Sequence, residues 1–342
     1  MFVLTLLITL STLLLWVIVK TFGKYNNSDN HDNQYYQTLS NIKGVTYCKT
    51  PYKHIKISSS KICHELYTKP MTIPKGLNLG DLFSRWLGSC MGTLNTRDPE
   101  WSKLKKIFLP IFNAKNDDLC KKLMLEWELN IQSLYQTSKQ NYSILHLNDI
   151  INDLPLKYIT YLIFGETYYK TNKKSFNLLQ KYANILMGDI FNENFKCGVR
   201  KYSKTEIDNV LNNFKLLWDE ILKNALNDDV QTEGVYIAIH NNYLNNNMIT
   251  YEMFSQTLIE IIYANQDVVT PAFAWLLVNY SKYYNLLDNP EHFIEESGRI
   301  SPIFPTSMPK ITFSDVVIDG YTIKKNTVVC IDFIGINNNV DE

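Results

Sequence analysis

Apolar positions recur with helical spacing over most of the chain. Between Asp117 and Phe164 they fall at Leu119, Leu123, Trp127 and Leu134, then at Ile150, Leu154, Ile159 and Leu162, and Phe164-Gly165 supplies a stop. A second series runs through Leu178, Leu179, Ile185 and Leu186. After a loop it resumes at Ile207, Val210, Leu211, Phe214, Leu217, Trp218 and Ile221. The longest series occupies residues 248–284, with Met253, Phe254, Leu258, Ile261, Ile262, Phe273, Leu276 and Leu277. Strand-like alternation is confined to the ends of the body. Residues 52–57 alternate, and Ser58-Ser59-Ser60 offers a cap for a helix through Ile62 and Leu66. Near the C-terminus two β-rich runs flank Asp319-Gly320, a two-residue hairpin signal. The pattern predicts a mainly α fold with small β-sheets.

One apolar run has no periodicity. Phe2 to Val19 is softened only by Thr5, Thr9, Ser11 and Thr12, and Lys20 and Lys24 come after it. Roughly 20 such residues cross a bilayer as a helix. A cleaved signal peptide is the competing reading, but the positive flank lies after the run and no small-x-small site succeeds it. The expected organisation is an anchor over 1–20, a polar tether over 21–44 and a folded body over 45–342. With the positive flank inside, the body of this single-pass membrane protein faces the cytosol, which leaves the sequons at Asn26, Asn141 and Asn279 unmodified.

Charge narrows the classes of partner. The chain of 342 residues carries 34 basic and 34 acidic side chains, so no basic excess argues for a nucleic-acid footprint. Frequent Asn, Lys, Tyr and Ile fit an AT-rich genome, such as some large viruses or protists carry, and say nothing about function. The 6 cysteines lie apart at 48, 63, 90, 120, 197 and 330 with no metal-ligand spacing, and read as reduced thiols.

Three stretches carry candidate chemistry. In the first, Asp98 and Pro99 open a helix that puts Trp101 and Lys105 on one face, read by itself as a core indole beside a solvated lysine. The second, Ala264-Asn-Gln-Asp-Val-Val-Thr-Pro271, sets an acid and a proline inside an apolar rod. Pro271 cannot donate to the carbonyl of Asp267, so a kink is expected there, as an ordinary bend or as a groove for ligand or water. The third is Phe293 to Pro305, where Glu296 and Arg299 share a helix face and Pro302 and Pro305 end the helix. An exposed E-x-x-R pair alone is common and worth a few tenths of a kcal/mol.

The residues after Arg299 give that pair its context. Glu296, Arg299, Pro302, Pro305, Lys310, Asp315, Ile318, Gly320, Tyr321, Ile323, Thr327 and Val329 occur in the order found in the haem-thiolate monooxygenases, and over these residues the chain resembles the cytochrome P450 family. The resemblance implies a haem cofactor, a reductase partner, dioxygen and an apolar substrate under a roof formed by residues 176–226. It also implies roles. Trp101, Lys105 and Lys310 would meet haem propionates, Asp267 would be the distal-helix acid, and Glu296 and Arg299 a structural pair. The chain departs from the family's pattern in four places. Lys105 stands where arginine is usual, Asn265 replaces a glycine, Val268 replaces a hydroxyl residue, and the cysteine-ligand loop F-x-x-G-x-R-x-C-x-G does not occur. Thr270 lies about 200° round the helix from the expected hydroxyl.

These features leave two classes of function. One is a membrane-anchored monooxygenase whose ligand loop is lost at a frameshift or comes from a second polypeptide. The other is a non-catalytic, membrane-anchored binding scaffold that keeps the family's body.

Overall fold

The computed structural model describes residues 39, 42–48, 54–68, 81–94, 98–114, 116–141, 144, 146–151, 153–195, 201–227, 233–283, 289–307, 310–312, 314–318 and 320–338. The anchor expected over 1–20 and most of the tether lie outside them. The chain forms two compact units: Met1–Ser84, Met187–Lys204 and Arg299–Glu342 in the first, Arg85–Leu186 and Thr205–Gly298 in the second.

The first unit is built on a sheet. Strands β1 (Val45–Cys48), β2 (His54–Ile57), β3 (Lys310–Ile311) and β6 (Val328–Ile331) lie in the order β1-β2-β6-β3. The β2–β6 contact is parallel, with Ile55 opposite Val329, and the other two are antiparallel. His54, Ile55 and Ile57 are all buried, as befits an inner strand covered on both faces. Helix α1 (Ser60–Thr68) begins where Ser59 Oγ accepts from Ile62 N at 3.4 Å, and it buries Ile62 and Leu66 against the sheet. Leu39 and Ile42 join the same core. The Asp319-Gly320 signal forms the expected hairpin, β4 (Val316–Ile318) against β5 (Tyr321–Ile323), with Gly320 at φ 79°. Helix α2 (Asp81–Leu87) carries the chain across the sequence boundary between the units.

The second unit is helical. Its members include α3 (Pro99–Ile107), α4 (Leu109–Asn113), α5 (Asp117–Asn141), α6 (Leu147–Ile151), α7 (Leu154–Phe164) and α8 (Glu166–Thr171). Helix α7 is buried nearly all round, and the Phe164 ring packs on Tyr168, Phe176, Trp218 and Tyr236. It stops where the sequence predicts: Gly165 takes φ 88°, and a Cβ on Gly234 would lie 2.2 Å from the Ile163 carbonyl oxygen, so both glycines are required by this crossing. Helices α9 (Lys173–Phe195), α10 (Lys204–Asn224) and α11 (Tyr236–Leu244) come next in the chain.

The long apolar series becomes a central helix in three pieces. Helix α12 (Tyr251–Ile259) is capped by Thr250, whose side chain accepts from Met253 N. A π-helical turn spans Glu260–Ala264, and α13 (Asn265–Tyr283) continues through Pro271. The α-ladder therefore gives way upstream of the proline, which sits within a helix that goes on. Side chains of α12 and of the π turn are tied to a facing loop, and a one-residue insertion lets a helix held on one side proceed with a new packing face. Helix α14 (Pro290–Ile300) ends before Pro302, and a last short helix, α15 (Phe333–Asn337), closes the described chain.

Candidate functional site

Helix α3 carries Trp101 and Lys105 as the spacing requires. Asp98 stands at the N-cap position with Pro99 at the first helical residue, but the Asp98 side chain makes no capping hydrogen bond. The Lys105 ammonium lies over the Trp101 ring, 5.4 Å from its centroid, so the two side chains form a cation–π pair on one face. Trp101 is half-buried and Lys105 exposed. That exposure leaves the ammonium able to meet an anion while the indole holds its stem.

The turn before α3 is fixed by residues that sequence reasoning missed. Three side chains of the central helix accept its backbone amides: Gln256 Oε1 from Ser89 N at 2.6 Å, Thr257 Oγ1 from Met91 N at 3.1 Å, and Glu260 Oε2 from Gly92 N at 2.9 Å. Thr93 Oγ1 donates within the turn, to the carbonyls of Gly88 and Cys90, at 2.8 Å each. Gly92 is the one residue that permits this approach, because a Cβ there would fall 1.7 Å from Glu260 Oε1. Gln256 also donates to Glu252 at 3.0 Å, and Glu252 lines a cavity of about 400 Å³ with Arg85, Asp208, Leu211, Asn212 and Lys215. Arg85 pairs with Asp208 at 2.6 Å. The available signal was the polar run Ser255-Gln256-Thr257 with Glu260 inside an apolar helix, opposite a loop with glycines at 88 and 92.

Asp267 lies in α13, and its side chain is outside the described residues. Three residues on, Thr270 Oγ1 is buried with no hydrogen-bond partner in the protein. The end of α13 is held to α14 by a buried hydrogen bond from Asn279 Nδ2 to Ser297 Oγ, 2.8 Å.

Glu296 and Arg299 both occupy the exposed face of α14, one turn apart. Arg299 Nη1 donates to the Asn337 carbonyl at 2.5 Å, and Asn337 Nδ2 donates back to the Arg299 carbonyl at 3.2 Å. The arginine thus clasps the C-terminal end of α15. The proline segment between them is zipped to β6: Ser307 N donates to the Ile331 carbonyl at 2.8 Å and Phe333 N to the Pro305 carbonyl at 3.1 Å. Lys310 is half-buried in β3, opposite Val329. Asp315 accepts from Lys325 N at 2.7 Å and so closes the turn after the hairpin. Lys310 belongs to the first unit and the α3 pair to the second.

Against a haem the residues divide. The indole and ammonium of α3, and the Lys310 ammonium in β3, have the chemistry to receive carboxylates. No described cysteine lies in the ligand loop that the resemblance implies. Burial pushes the Cys48 and Cys63 thiols up, and it pushes Cys90 up to about 12 with Glu260 adding to the rise. Cys330 is buried in β6, and Cys120 is an exposed thiol on α5. Among the described residues no group of three or more His, Cys, Asp or Glu side chains could hold a metal ion. The described cations have the chemistry of a propionate partner, and the cysteine-ligand sequence does not occur among residues 1–342.

Residues 285–342 match the family model for Cytochrome P450. Beyond that segment the chain is 24% identical over 304 residues to cytochrome P450 monooxygenase gliC of Aspergillus fumigatus, covering 75% of this chain and 57% of that protein. It is 23% identical over 281 residues to cytochrome P450 monooxygenase sirC of Leptosphaeria maculans, covering 73% of this chain and 59% of the relative. The chain therefore spans less than three fifths of these relatives' length. Among solved structures, it matches P450BioI in complex with a hexadec-9Z-enoic acid ligated acyl carrier protein at a TM-score of 0.62 and 14% identity, covering 90% of this chain and 78% of that one. A zebra fish cytochrome P450 with progesterone gives the same TM-score of 0.62 and 14% identity, covering 92% and 81%. The chain resembles the cytochrome P450s in sequence and shares their fold, and haem is the cofactor of that family.

Proposed function

We propose that this chain forms the larger part of a haem-dependent monooxygenase that oxidises an apolar small molecule with dioxygen and electrons from a reductase. The supporting observation is the run from Glu296 to Val329, whose helix, proline turn and hairpin fold in the order that the resemblance implies. In this reading Trp101, Lys105 and Lys310 hold the haem propionates, and Glu296 and Arg299 are a structural pair that fixes the end of α14. Asp267 on α13 delivers protons on the distal side. Haem, when bound, supplies the oxidising chemistry; these side chains bind it, orient it and move protons. A cysteine ligand would be supplied by a second polypeptide. Residues 1–20 anchor the body to a membrane, on its cytosolic side.

A second reading, a non-catalytic membrane-bound scaffold, is favoured by one group of observations. Asn265 and Val268 replace the residues that the distal relay uses, and the Thr270 hydroxyl is turned into protein rather than to a partner.

The absorption spectrum of the membrane-extracted chain with added haem, reduced and exposed to carbon monoxide, separates the two. The monooxygenase reading expects haem uptake, with a thiolate-type band appearing only when a segment carrying a cysteine-ligand loop is supplied. No haem uptake with or without that segment leaves the scaffold.

A further inference from the structure

The two ends of α3 are held by different means. At the C-terminal end the core fixes the helix: Leu104, Ile107 and the following Phe108 are buried, and Phe108 stacks on Phe254 of α12 with ring centroids 5.5 Å apart. Asn242 Nδ2 of α11 adds a hydrogen bond to the Ile107 carbonyl at 3.3 Å. The N-terminal end has less core around it. Trp101 is half-buried, Lys105 is exposed, and the helix begins without a side-chain cap from Asp98. Trp101 stands about 10 Å along the axis from Phe108, so a tilt about the packed end displaces this pair more than any residue nearer the core contact.

What opposes such a tilt is the turn over residues 88–93, which the chain leaves just before it enters α3. The turn is braced internally by Thr93 Oγ1, which donates to the Gly88 and Cys90 carbonyls at 2.8 Å each, so it moves as a unit. It is bonded to the same rod that holds the far end of α3, through Gln256, Thr257 and Glu260. Glu260 differs from the other two acceptors. It takes the amide nearest to α3, that of Gly92, at 2.9 Å, and as a carboxylate it makes the stronger, charge-assisted bond. It also fits closely enough that a Cβ at residue 92 would lie 1.7 Å from its Oε1.

We propose that Glu260 is a positioning residue for the cofactor site: through Gly92 and the braced turn it sets where the first turn of α3 presents Trp101 and Lys105. What the pair receives rests on the haem reading given above, whereas its placement is a property of the haem-free chain.

Two substitutions cut the tie from opposite sides. Glu260→Leu removes the acceptor, and Gly92→Ala drives the carboxylate away by putting a methyl group against it. Glu260→Gln keeps an acceptor and is the rescue. In the full chain labelled with fluorotryptophan, with the Trp101 resonance assigned by Trp101→Phe, the fluorine spectrum of the haem-free protein reads the pair directly. The Trp101 signal should shift in both cutting variants and keep its place in Glu260→Gln. The double variant should match the worse single, because both remove one bond. A Trp101 signal unmoved by either cut, or moved as far by Glu260→Gln, overturns the proposal. Haem titration is the second readout: uptake should weaken roughly tenfold in the cutting variants and not in Glu260→Gln. Equal uptake by the unaltered chain and every variant overturns it as well. If the unaltered chain takes up no haem, the cofactor reading fails by itself. A shifted Trp101 signal then still assigns the placement of α3 to Glu260, and an unshifted one overturns that too.

Discussion

The two halves of the central helix are made of similar residues and live in different surroundings. In α12 every side chain from Phe254 to Ile259 is buried, and the polar ones are all bonded: Ser255 to Trp218 Nε1, Gln256 and Thr257 to the 88–93 turn. In α13 the apolar side chains Trp275, Tyr280 and Tyr283 are 44%, 52% and 42% exposed. The whole stretch Tyr251–Tyr283 is long and apolar enough to cross a membrane by length and composition, yet its first half is an interior helix of the second unit. Hydropathy therefore does not distinguish the halves. What distinguishes them is packing: the first half is enclosed, with its polar side chains bonded within the unit, and the second leaves large aromatic rings exposed.

The largest expected effect tests that contrast directly. Phe254 is fully buried and stacks between Phe108 at 5.5 Å and Tyr243 at 4.6 Å. Phe254→Ala should cost about 3–5 kcal/mol in a denaturant melt, and Tyr280→Ala, in the exposed half, less than about 1 kcal/mol. Equal losses would erase the distinction between the halves.

A smaller effect sharpens it at the junction. Glu260→Leu strands the Gly92 amide and should cost about 1–3 kcal/mol, while Glu260→Gln keeps an acceptor and costs less. Hydrogen exchange at Ser89, Met91 and Gly92 is the readout. Faster exchange in the leucine variant alone marks the turn as tied by this side chain, and unchanged protection would assign its order to other contacts.

The smallest effect is silent at neutral pH. Cys90 sits in the tied turn with its thiol held up to about 12, above the unfolded value of 9.0. A thiol with a raised folded value contributes its full stability below pH 9, and loses it as pH rises toward 12 because the unfolded chain ionises first. Cys90→Ser should flatten the alkaline limb of the stability profile. An unchanged limb would mean that the thiol titrates alike in both states.

Much of the architecture was legible in the chain because it rests on local rules. Helical spacing located α5, α7 and α10, Asp319-Gly320 located the hairpin, and Phe164-Gly165 located a stop that the structure places at the same residue. The order from Glu296 to Val329 identified the family through its spacing. What escaped are the long-range ties. Gln256, Thr257 and Glu260 meet a turn more than 160 positions away in sequence, and periodicity sees only neighbours within a helix. Arg299 illustrates the same limit: its spacing from Glu296 points along its own helix and says nothing of its hydrogen bonds with Asn337, 38 positions on. A kink was expected at Pro271, the one residue that cannot donate; the π turn upstream has no such residue to announce it.

That turn has a consequence best put as phase. Each residue of an α-helix advances the chain by about 100°, so two positions are related by their count alone. The wide turn at Glu260–Ala264 holds back roughly one residue of that advance. Everything from Asn265 onward is delivered out of step with the helix that precedes it. Deleting a single residue inside the turn would restore an unbroken ladder and swing the face bearing Asp267 by about a quarter of a revolution. The turn works as a vernier between the half of the rod that anchors and the half that presents.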